Sequence, residues 1–187
     1  KTSPESSPIQ VLKSGIESIN LKLYEKSVED MALSGMGTTL VAATVQENLL
    51  YVANVGDSRL YLFRHGLMLQ ITRDHSYVEE LVALGHLDRN SRAYQQKKNI
   101  ITRALGVTAH VEADFFEVEL IPGDLILMCS DGLSNMIMEN EMADILLEET
   151  SLKYKAEKLA GRANELGGFD NIAVVVADPQ ISEVRPC

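Results

Sequence analysis

The spacing of the apolar residues changes once along this chain, and that change most strongly limits the folds available to it. Before Gly35, apolar residues recur every three or four positions from Ile9 to Leu23, which predicts a helix over about residues 9–28. After Gly37, short β-branched and apolar runs alternate with turn-forming pairs, which is typical of an antiparallel meander. The strands predicted there are Thr38–Gln46, Leu49–Val55, Leu60–Arg64 and Leu67–Ile71.

The second half of the chain mixes strands and helices without an internal repeat or a linker. Residues 75–98 are more polar and indicate helical or irregular surface structure. The remaining predicted elements are strands at Val111–Leu120, Asp124–Cys129 and Ile172–Val176, the last expected to be buried on both faces, and helices at Glu139–Glu149 and Ser151–Leu166. Together these patterns predict one α+β domain in which two antiparallel β-sheets form a sandwich flanked by helices.

Charge and cysteine content narrow the possible partners and the compartment. A net charge of −10 over 187 residues argues against a nucleic-acid partner, which needs a basic face. No apolar run is long enough to cross a bilayer, so no membrane partner is expected. Only two cysteines are present: Cys129 lies in an apolar run, and Cys187 is the last residue. The absence of a disulfide framework predicts a cytoplasmic protein.

Several routes to phosphate or nucleophilic chemistry are excluded by missing residues. The segment from Gly35 to Thr39 lacks the lysine of a phosphate-binding loop, and no cation follows Cys129 closely enough to serve a cysteine phosphatase. The four histidines have no i, i+4 pairing, which argues against a zinc helix. Asp74-His75-Ser76 contains the residue types of a catalytic triad, but sequence neighbours do not converge as triad members do. His75 is therefore interpreted as a loop residue that bonds its neighbours.

Three aspartates stand at the ends of predicted strands. Asp131 follows the run that ends at Cys129, Asp170 directly precedes the last predicted strand, and Asp57 lies between two strands of the meander. Carboxylates held at such positions are suited to hard divalent cations, because magnesium and manganese prefer oxygen ligands. Each aspartate taken singly is also typical of an ordinary turn. The residue pattern alone leaves both interpretations open.

Six short segments, taken in order, resemble the motifs of the metal-dependent protein serine/threonine phosphatases of type 2C, and in particular their bacterial branch. They are Gly35-Met36-Gly37-Thr38-Thr39, Val52-Ala53-Asn54-Val55-Gly56-Asp57-Ser58-Arg59, Ile71-Thr72-Arg73-Asp74-His75-Ser76, Ile101-Thr102-Arg103-Ala104-Leu105-Gly106, Cys129-Ser130-Asp131-Gly132-Leu133-Ser134-Asn135 and Asp170-Asn171-Ile172-Ala173-Val174-Val175. One such segment would be weak evidence, but six in the family's order, spread over residues 35–176, form a specific match. The resemblance implies the same sandwich of antiparallel sheets with outer helices.

The resemblance also implies roles for the aspartates. Asp131 and Asp170 match two aspartates that hold one cation of a dinuclear manganese or magnesium centre. Asp57 matches the aspartate that helps to bind a weaker third metal, whereas Asn135 stands where many relatives carry an acidic residue. Residues 76–98 match the mobile flap beside the active site. The flap residues singled out as candidates for substrate contact are Ser76, Tyr77, His86, Arg89 and Arg92.

The family's N-terminal motifs have no counterpart in this sequence. Those motifs supply an arginine that grips the substrate phosphate and an Asp-Gly pair whose aspartate bridges both metals. Residues 1–34 contain no arginine, and their one aspartate, Asp30, precedes Met31. We therefore expect the chain to be the C-terminal portion of such a phosphatase. The expected properties of this portion are weak or absent metal binding, no meaningful activity, and self-association through exposed sheet edges.

In the mechanism that the resemblance implies, a metal-activated water attacks the phosphorus of phosphoserine or phosphothreonine in a protein. The expected partners of the parent protein are phosphoprotein substrates and an opposing bacterial serine/threonine kinase. The alternative is a catalytically inactive, phosphatase-like binding or regulatory module that keeps the fold without the metals. A sandwich without any site is a third interpretation, which must treat six ordered motifs as chance.

Overall fold

The structure is a computed structural model, and it describes residues 7–181 except for the side chain of Gln95. The helices are α1 (Pro8–Glu29), α2 (Tyr77–Ala83), α3 (Arg92–Lys97), α4 (Asp131–Ser134), α5 (Glu139–Leu147) and α6 (Leu152–Glu165), with a 3-10 turn at Met31–Leu33. The strands are β1 (Leu40–Gln46), β2 (Leu49–Val55), β3 (Arg59–Arg64), β4 (Leu67–Gln70), β5 (Asp114–Glu119), β6 (Leu125–Cys129) and β7 (Val174–Ala177).

The strands form two sheets, with the orders β1-β2-β5 and β4-β3-β6-β7. In the four-stranded sheet every neighbouring pair is antiparallel, and the register places Tyr61 opposite Leu127 and Arg59 opposite Cys129. Helices flank the sheets, so the predicted α+β class with two antiparallel sheets is confirmed. The predicted meander over Thr38–Ile71 is wrong, because β2 and β3 do not pair: the chain passes from one sheet to the other between Val55 and Arg59. Within residues 7–181, every helix is too short or too polar to cross a bilayer.

The first helix begins where its capping residues require. Ser7 and Gln10 form a capping box, in which each side chain accepts a hydrogen bond from the other residue's backbone amide, and Pro8 occupies the first turn. Asn20, which is fully buried, accepts a hydrogen bond from the Gly106 amide at 2.9 Å. The helix thereby anchors a loop that is remote in the sequence.

The chain divides into two compact units, and each is built from three stretches of sequence. The first comprises, among the described residues, 7–42, 52–57 and 73–115. Its core contains Ile16 from α1, Ala53 and Val55 from β2, and Leu105 from a loop. Leu105 also exchanges backbone hydrogen bonds with Thr38, in both directions, at 2.8 and 3.1 Å.

The second unit comprises, among the described residues, 43–51, 58–72 and 116–181. Tyr61 and Leu127 pack with residues of α4, α5 and α6 in its core, and Cys129 is buried there as predicted. Asp124, only 1% exposed, accepts two hydrogen bonds from the Arg64 guanidinium at 2.9 and 2.7 Å. Cys187 lies outside the described residues.

The last strand differs from its prediction in both position and burial. It begins at Val174 rather than at Ile172, and it is an edge strand of the four-stranded sheet. Val175 is 50% exposed, so the expectation of a strand buried on both faces is wrong. The apolar composition did not reveal that the segment before Val174 turns, where the Asp170 side chain accepts a hydrogen bond from the Asn171 amide.

Candidate metal centre

The carboxyl end of β6 and the segment before β7 are joined by the side chain of Ser130. Its hydroxyl donates to the carbonyl of Asn171 and accepts from the amide of Ala173, both at 3.0 Å. The backbone amide of Ser130 donates to the carbonyl of Ala173 at 3.1 Å. Asp131 follows this contact and Asp170 precedes it, so two aspartates remote in the sequence are brought together.

Gly132 allows the two segments to approach this closely. A Cβ at position 132 would lie 2.3 Å from the carbonyl oxygen of Asn171 and 3.4 Å from that of Asp170. These are backbone atoms, which cannot move aside as the end of a side chain can. The glycine in Asp131-Gly132 is therefore required by the close contact with the segment that carries Asp170.

The charge of Asp170 acts on the carboxyl group of Asp131. Burial raises the pKa of Asp131, and the negative charge of Asp170 raises that pKa further. Hydrogen bonding from the Gly132 amide and the positive charge of Arg59 act in the opposite direction without cancelling the rise. Asn135 donates from Nδ2 to Oδ2 of Asp131 at 3.2 Å and fixes one carboxylate oxygen. A cation between the two aspartates would relieve their repulsion.

The chemistry of this donor pair fits a hard cation. Magnesium and manganese take oxygen ligands, and two carboxylates supply both oxygen and negative charge. Among residues 7–181, no group of three or more histidine, cysteine, aspartate or glutamate side chains is placed to hold a metal ion. The assignment of Asp131 and Asp170 as metal ligands stays a prediction; a cation held by this pair would keep other positions for water or further donors.

Asp57 lies in the other compact unit, directly after a constrained turn. Gly56 has φ +105°, and a Cβ there would lie 2.4 Å from Cγ2 of Thr39. Asn54, which is fully buried, donates from Nδ2 to the carbonyls of Gly56 and Arg73 at 3.2 and 2.9 Å. The assignment of Asp57 to a third metal site stays a prediction.

The five flap residues differ in how firmly they are held. Ser76 is buried and accepts a hydrogen bond from the Glu79 amide at the start of α2. Tyr77 is partly exposed, with Nζ of Lys97 5.8 Å from its ring centre. His86, Arg89 and Arg92 are exposed. Their contact with substrate stays a prediction.

Glu79 holds the predicted flap together and was missed by the sequence analysis. Its side chain is only 10% exposed and accepts two hydrogen bonds from Arg89, at 3.1 and 2.6 Å. The hydroxyl of Tyr94 in α3 donates to the same carboxylate at 2.6 Å. Glu79 in α2 is thus bonded both to Arg89, in the loop that follows α2, and to Tyr94 in α3. The sequence offers no signal for this, because all three residue types are common on exposed helices.

The sequence analysis also missed His75, which bonds the turn before Asp57, and Arg59, whose charge acts on Asp131. His75 is interpreted from sequence as a loop residue bonded to its neighbours, but its ring is 5% exposed and bonds Gly56 and Asp114. Arg59 lies opposite Cys129 in the β3–β6 register, which explains why its charge reaches Asp131. The available signal for Arg59 is its place at the end of the Val52–Arg59 motif, directly before the strand predicted from Leu60, but the sequence does not show which strand pairs with it.

Comparisons with known proteins agree with this fold. Residues 1–81 match the family model described as Protein phosphatase 2C. The serine/threonine phosphatase stp of Listeria welshimeri is 42% identical over 172 residues, which cover 92% of this chain and 68% of that protein. The crystal structure of the Mycobacterium tuberculosis serine/threonine phosphatase PstP/Ppp matches with a TM-score of 0.87 at 32% identity, covering 95% of this chain and 75% of that one.

A second PstP structure bears on the cofactor. The catalytic domain of a serine/threonine protein phosphatase named PstP, solved in complex with two manganese ions, matches with a TM-score of 0.83 at 33% identity, and the match covers 94% of this chain and 73% of that one. The chain belongs to the protein phosphatase 2C family, and its relatives are bacterial serine/threonine phosphatases. The predicted enzyme class and the bacterial branch are thereby confirmed.

Proposed function

We propose that Asp131 and Asp170 hold one manganese or magnesium ion of a phosphatase that hydrolyses phosphoserine and phosphothreonine in proteins. The observation that carries the proposal is the close contact between the segments that bear them: Ser130 bonds Asn171 and Ala173, and Gly132 lies against the Asn171 carbonyl. Burial raises the pKa of Asp131, and the charge of Asp170 raises it further. Folding brings two acidic groups together at an energetic cost, and such costs concentrate at functional sites. The two manganese ions in the related PstP structure support the same assignment.

When bound, the metal supplies the acidity that makes a water molecule nucleophilic at neutral pH. The chain's own residues arrange the site for it. Asp131 and Asp170 provide oxygen ligands, Asn135 fixes one oxygen of Asp131, and Gly132 allows the two segments to approach. Because the Asn135 hydrogen bond and the close contact at Gly132 hold these groups in place, they need little reorganisation during the reaction.

The same proposal includes a third metal site, a flap, an opposing kinase and self-association. Asp57 contributes to a third metal site, and residues 76–98 form a flap within one phosphatase-like domain that contacts phosphoprotein substrates. An opposing serine/threonine kinase supplies those substrates, because phosphorylation is the reaction that creates them. Self-association uses β4 and β7, the edge strands of the four-stranded sheet.

Asp131→Asn is expected to weaken manganese binding at least tenfold and to stabilise the metal-free chain. The substitution removes a negative ligand from the site, and in the metal-free chain it also removes the repulsion with Asp170. Because the site is partly open to solvent, the gain in free energy of unfolding is modest, about 0.5–1 kcal/mol. Manganese binding is measured from the electron paramagnetic resonance signal of the free ion, and stability from urea denaturation.

The matched control is Asp144→Asn, which removes the same charge from an exposed position on α5. It should leave both manganese affinity and stability close to those of the wild type. Unchanged manganese binding by Asp131→Asn would contradict the proposed ligand. Because this chain is expected to bind metal weakly, the titration extends into the millimolar range of manganese, and a wild-type chain that binds none there would contradict the proposed pair of ligands.

The 187-residue chain by itself is expected to show no meaningful phosphatase activity. The arginine that grips phosphate and the Asp-Gly pair that bridges the metals, both implied by the family resemblance, have no match in residues 1–34. Without them, the clamp on the attacking and leaving oxygens is incomplete. The test is hydrolysis of p-nitrophenyl phosphate in millimolar manganese, with the Listeria phosphatase stp as the active reference. Turnover comparable to that reference would show that this expectation is wrong.

A further inference from the structure

The turn that precedes Asp57 is held in its conformation by the groups around Gly56. Gly56 has φ +105°, a region that other residues rarely adopt, and Thr39 fills the space where a Cβ would lie. A glycine turn is intrinsically flexible, so neighbouring groups must hold it in one direction. The residues that bond Gly56 therefore determine where the next residue, Asp57, is placed.

His75 makes two hydrogen bonds to Gly56. The backbone amide of His75 donates to the carbonyl of Gly56 at 2.9 Å, and the amide of Gly56 donates to Nδ1 of the His75 ring at 3.1 Å. The carbonyl of Gly56 also accepts a hydrogen bond from Asn54. Both polar groups of the Gly56 backbone are thus bonded, and the amide depends on one side-chain atom.

These bonds determine where the His75 ring carries its proton. A backbone amide can only donate, so Nδ1 must be the unprotonated nitrogen, and the proton of the neutral ring lies on Nε2. Nε2 lies 3.2 Å from Oδ2 of Asp114, which accepts this proton in a hydrogen bond. Arg103 bonds the other oxygen of Asp114 at 3.0 Å and holds that carboxylate in place. Burial lowers the pKa of His75, which favours the neutral ring.

We propose that His75 is a positioning residue whose neutral ring, held as the Nε2–H tautomer between the Gly56 amide and the Asp114 carboxylate, fixes the turn that carries Asp57. Its importance for metal binding rests on the proposed role of Asp57, whereas the geometric assignment does not. A histidine that merely filled space would not need a particular nitrogen to be unprotonated.

Nuclear magnetic resonance of the nitrogen-15-labelled chain tests the tautomer directly. Long-range proton–nitrogen correlations of the His75 ring should show Nδ1 as an unprotonated nitrogen and Nε2 as a protonated one. The Gly56 amide should exchange slowly with solvent. A ring protonated on Nδ1, or a freely exchanging Gly56 amide, would overturn the proposal.

Two substitutions that introduce a side-chain amide test the roles of the two ring nitrogens separately. The oxygen of asparagine can take the place of Nδ1, so His75→Asn should keep Gly56 exchange within about threefold of the wild type. The longer side chain of His75→Gln reaches toward Asp114 instead, and Gly56 exchange should rise at least about tenfold because its acceptor is lost. His110→Asn, at an exposed histidine, is the matched control and should change nothing at Gly56.

Slow exchange at Leu105, in the same compact unit as His75, and at Leu127, in the other unit, verifies that each variant still folds. Equal effects of His75→Asn and His75→Gln on Gly56 would overturn the positioning role. The proposed metal-binding role of Asp57 is tested separately with Asp57→Asn. If added manganese broadens the amide signals next to position 57 equally in this variant and in the wild type, Asp57 is not a metal ligand. The tautomer and the exchange results would stand in that case.

Discussion

Gly132→Ala is expected to destabilise the chain by about 3 kcal/mol and to separate Asp131 from Asp170. The added Cβ would lie 2.3 Å from the carbonyl oxygen of Asn171, a distance that forces one backbone segment to move. Movement of either segment would break the Ser130 hydrogen bonds to Asn171 and Ala173. Urea denaturation followed by circular dichroism measures the loss, and manganese binding should decline with it.

Gly161→Ala is the matched control, because it makes the same chemical change with the opposite expected sign. Gly161 lies inside α6, and a Cβ there meets nothing within 4 Å. Alanine favours the helix over glycine by about 0.5–1 kcal/mol, so this variant should be more stable than the wild type. A Gly132→Ala chain as stable as the wild type would show that the segments are not in close contact.

Asp124→Asn is expected to cost about 2–3 kcal/mol at neutral pH, because it removes the charge that pairs with Arg64 in a buried position. The Asp124 carboxylate is 1% exposed and also accepts a hydrogen bond from the Ile121 amide at 2.8 Å. Burial by itself would raise the pKa of Asp124, but the hydrogen bonds from Arg64 and Ile121, together with the charge of Arg64, hold it below its ordinary value.

The same pair predicts how stability depends on pH. The folded-state pKa of Asp124 lies below the unfolded value of about 3.9, so its stabilising contribution is fully present above pH ~4. The contribution is lost as the pH falls through the folded value. Urea denaturation from pH 7 to pH 3 should therefore show a steeper acid loss in the wild type than in Asp124→Asn. Parallel plots of unfolding free energy against pH for the two chains would contradict the stabilising role of the Asp124 charge. The control variant Asp144→Asn should show the same pH dependence as the wild type.

The sequence was sufficient to predict features that depend on local pattern. The spacing of Ile9, Leu12, Ile16 and Ile19 predicts α1, and the structure begins that helix within a residue of the prediction. The neighbouring pairs β1–β2 and β3–β4 follow from the alternation of apolar runs and turns, but that alternation could not show that β2 and β3 belong to different sheets. Strand ends are local features too, which is why Asp131 and Asp170 could be singled out before their proximity was known.

Features that depend on pairing between remote segments could not be predicted in this way. The contact between Ser130 and Asn171 exists because β6 pairs with β7, and no local pattern specifies that pairing. For the same reason the apolar run at Ile172–Val176 gave no sign that its strand lies at a sheet edge. His75 shows the limit most clearly, because the ring partners Gly56, Arg103 and Asp114 all lie far from it in the sequence.

The division of both compact units into three stretches has a consequence for the order in which the newly made protein can fold. The core of the first unit joins Ile16 to Leu105, so it cannot close until the intervening residues have been made. At a synthesis rate of about 5–20 residues per second, that interval is roughly 4–18 seconds. During this time the face of α1 formed by Leu12, Ile16 and Leu23 lacks its packing partner. On the ribosome, this face of α1 is therefore open to chaperone capture or aggregation until those partners are made.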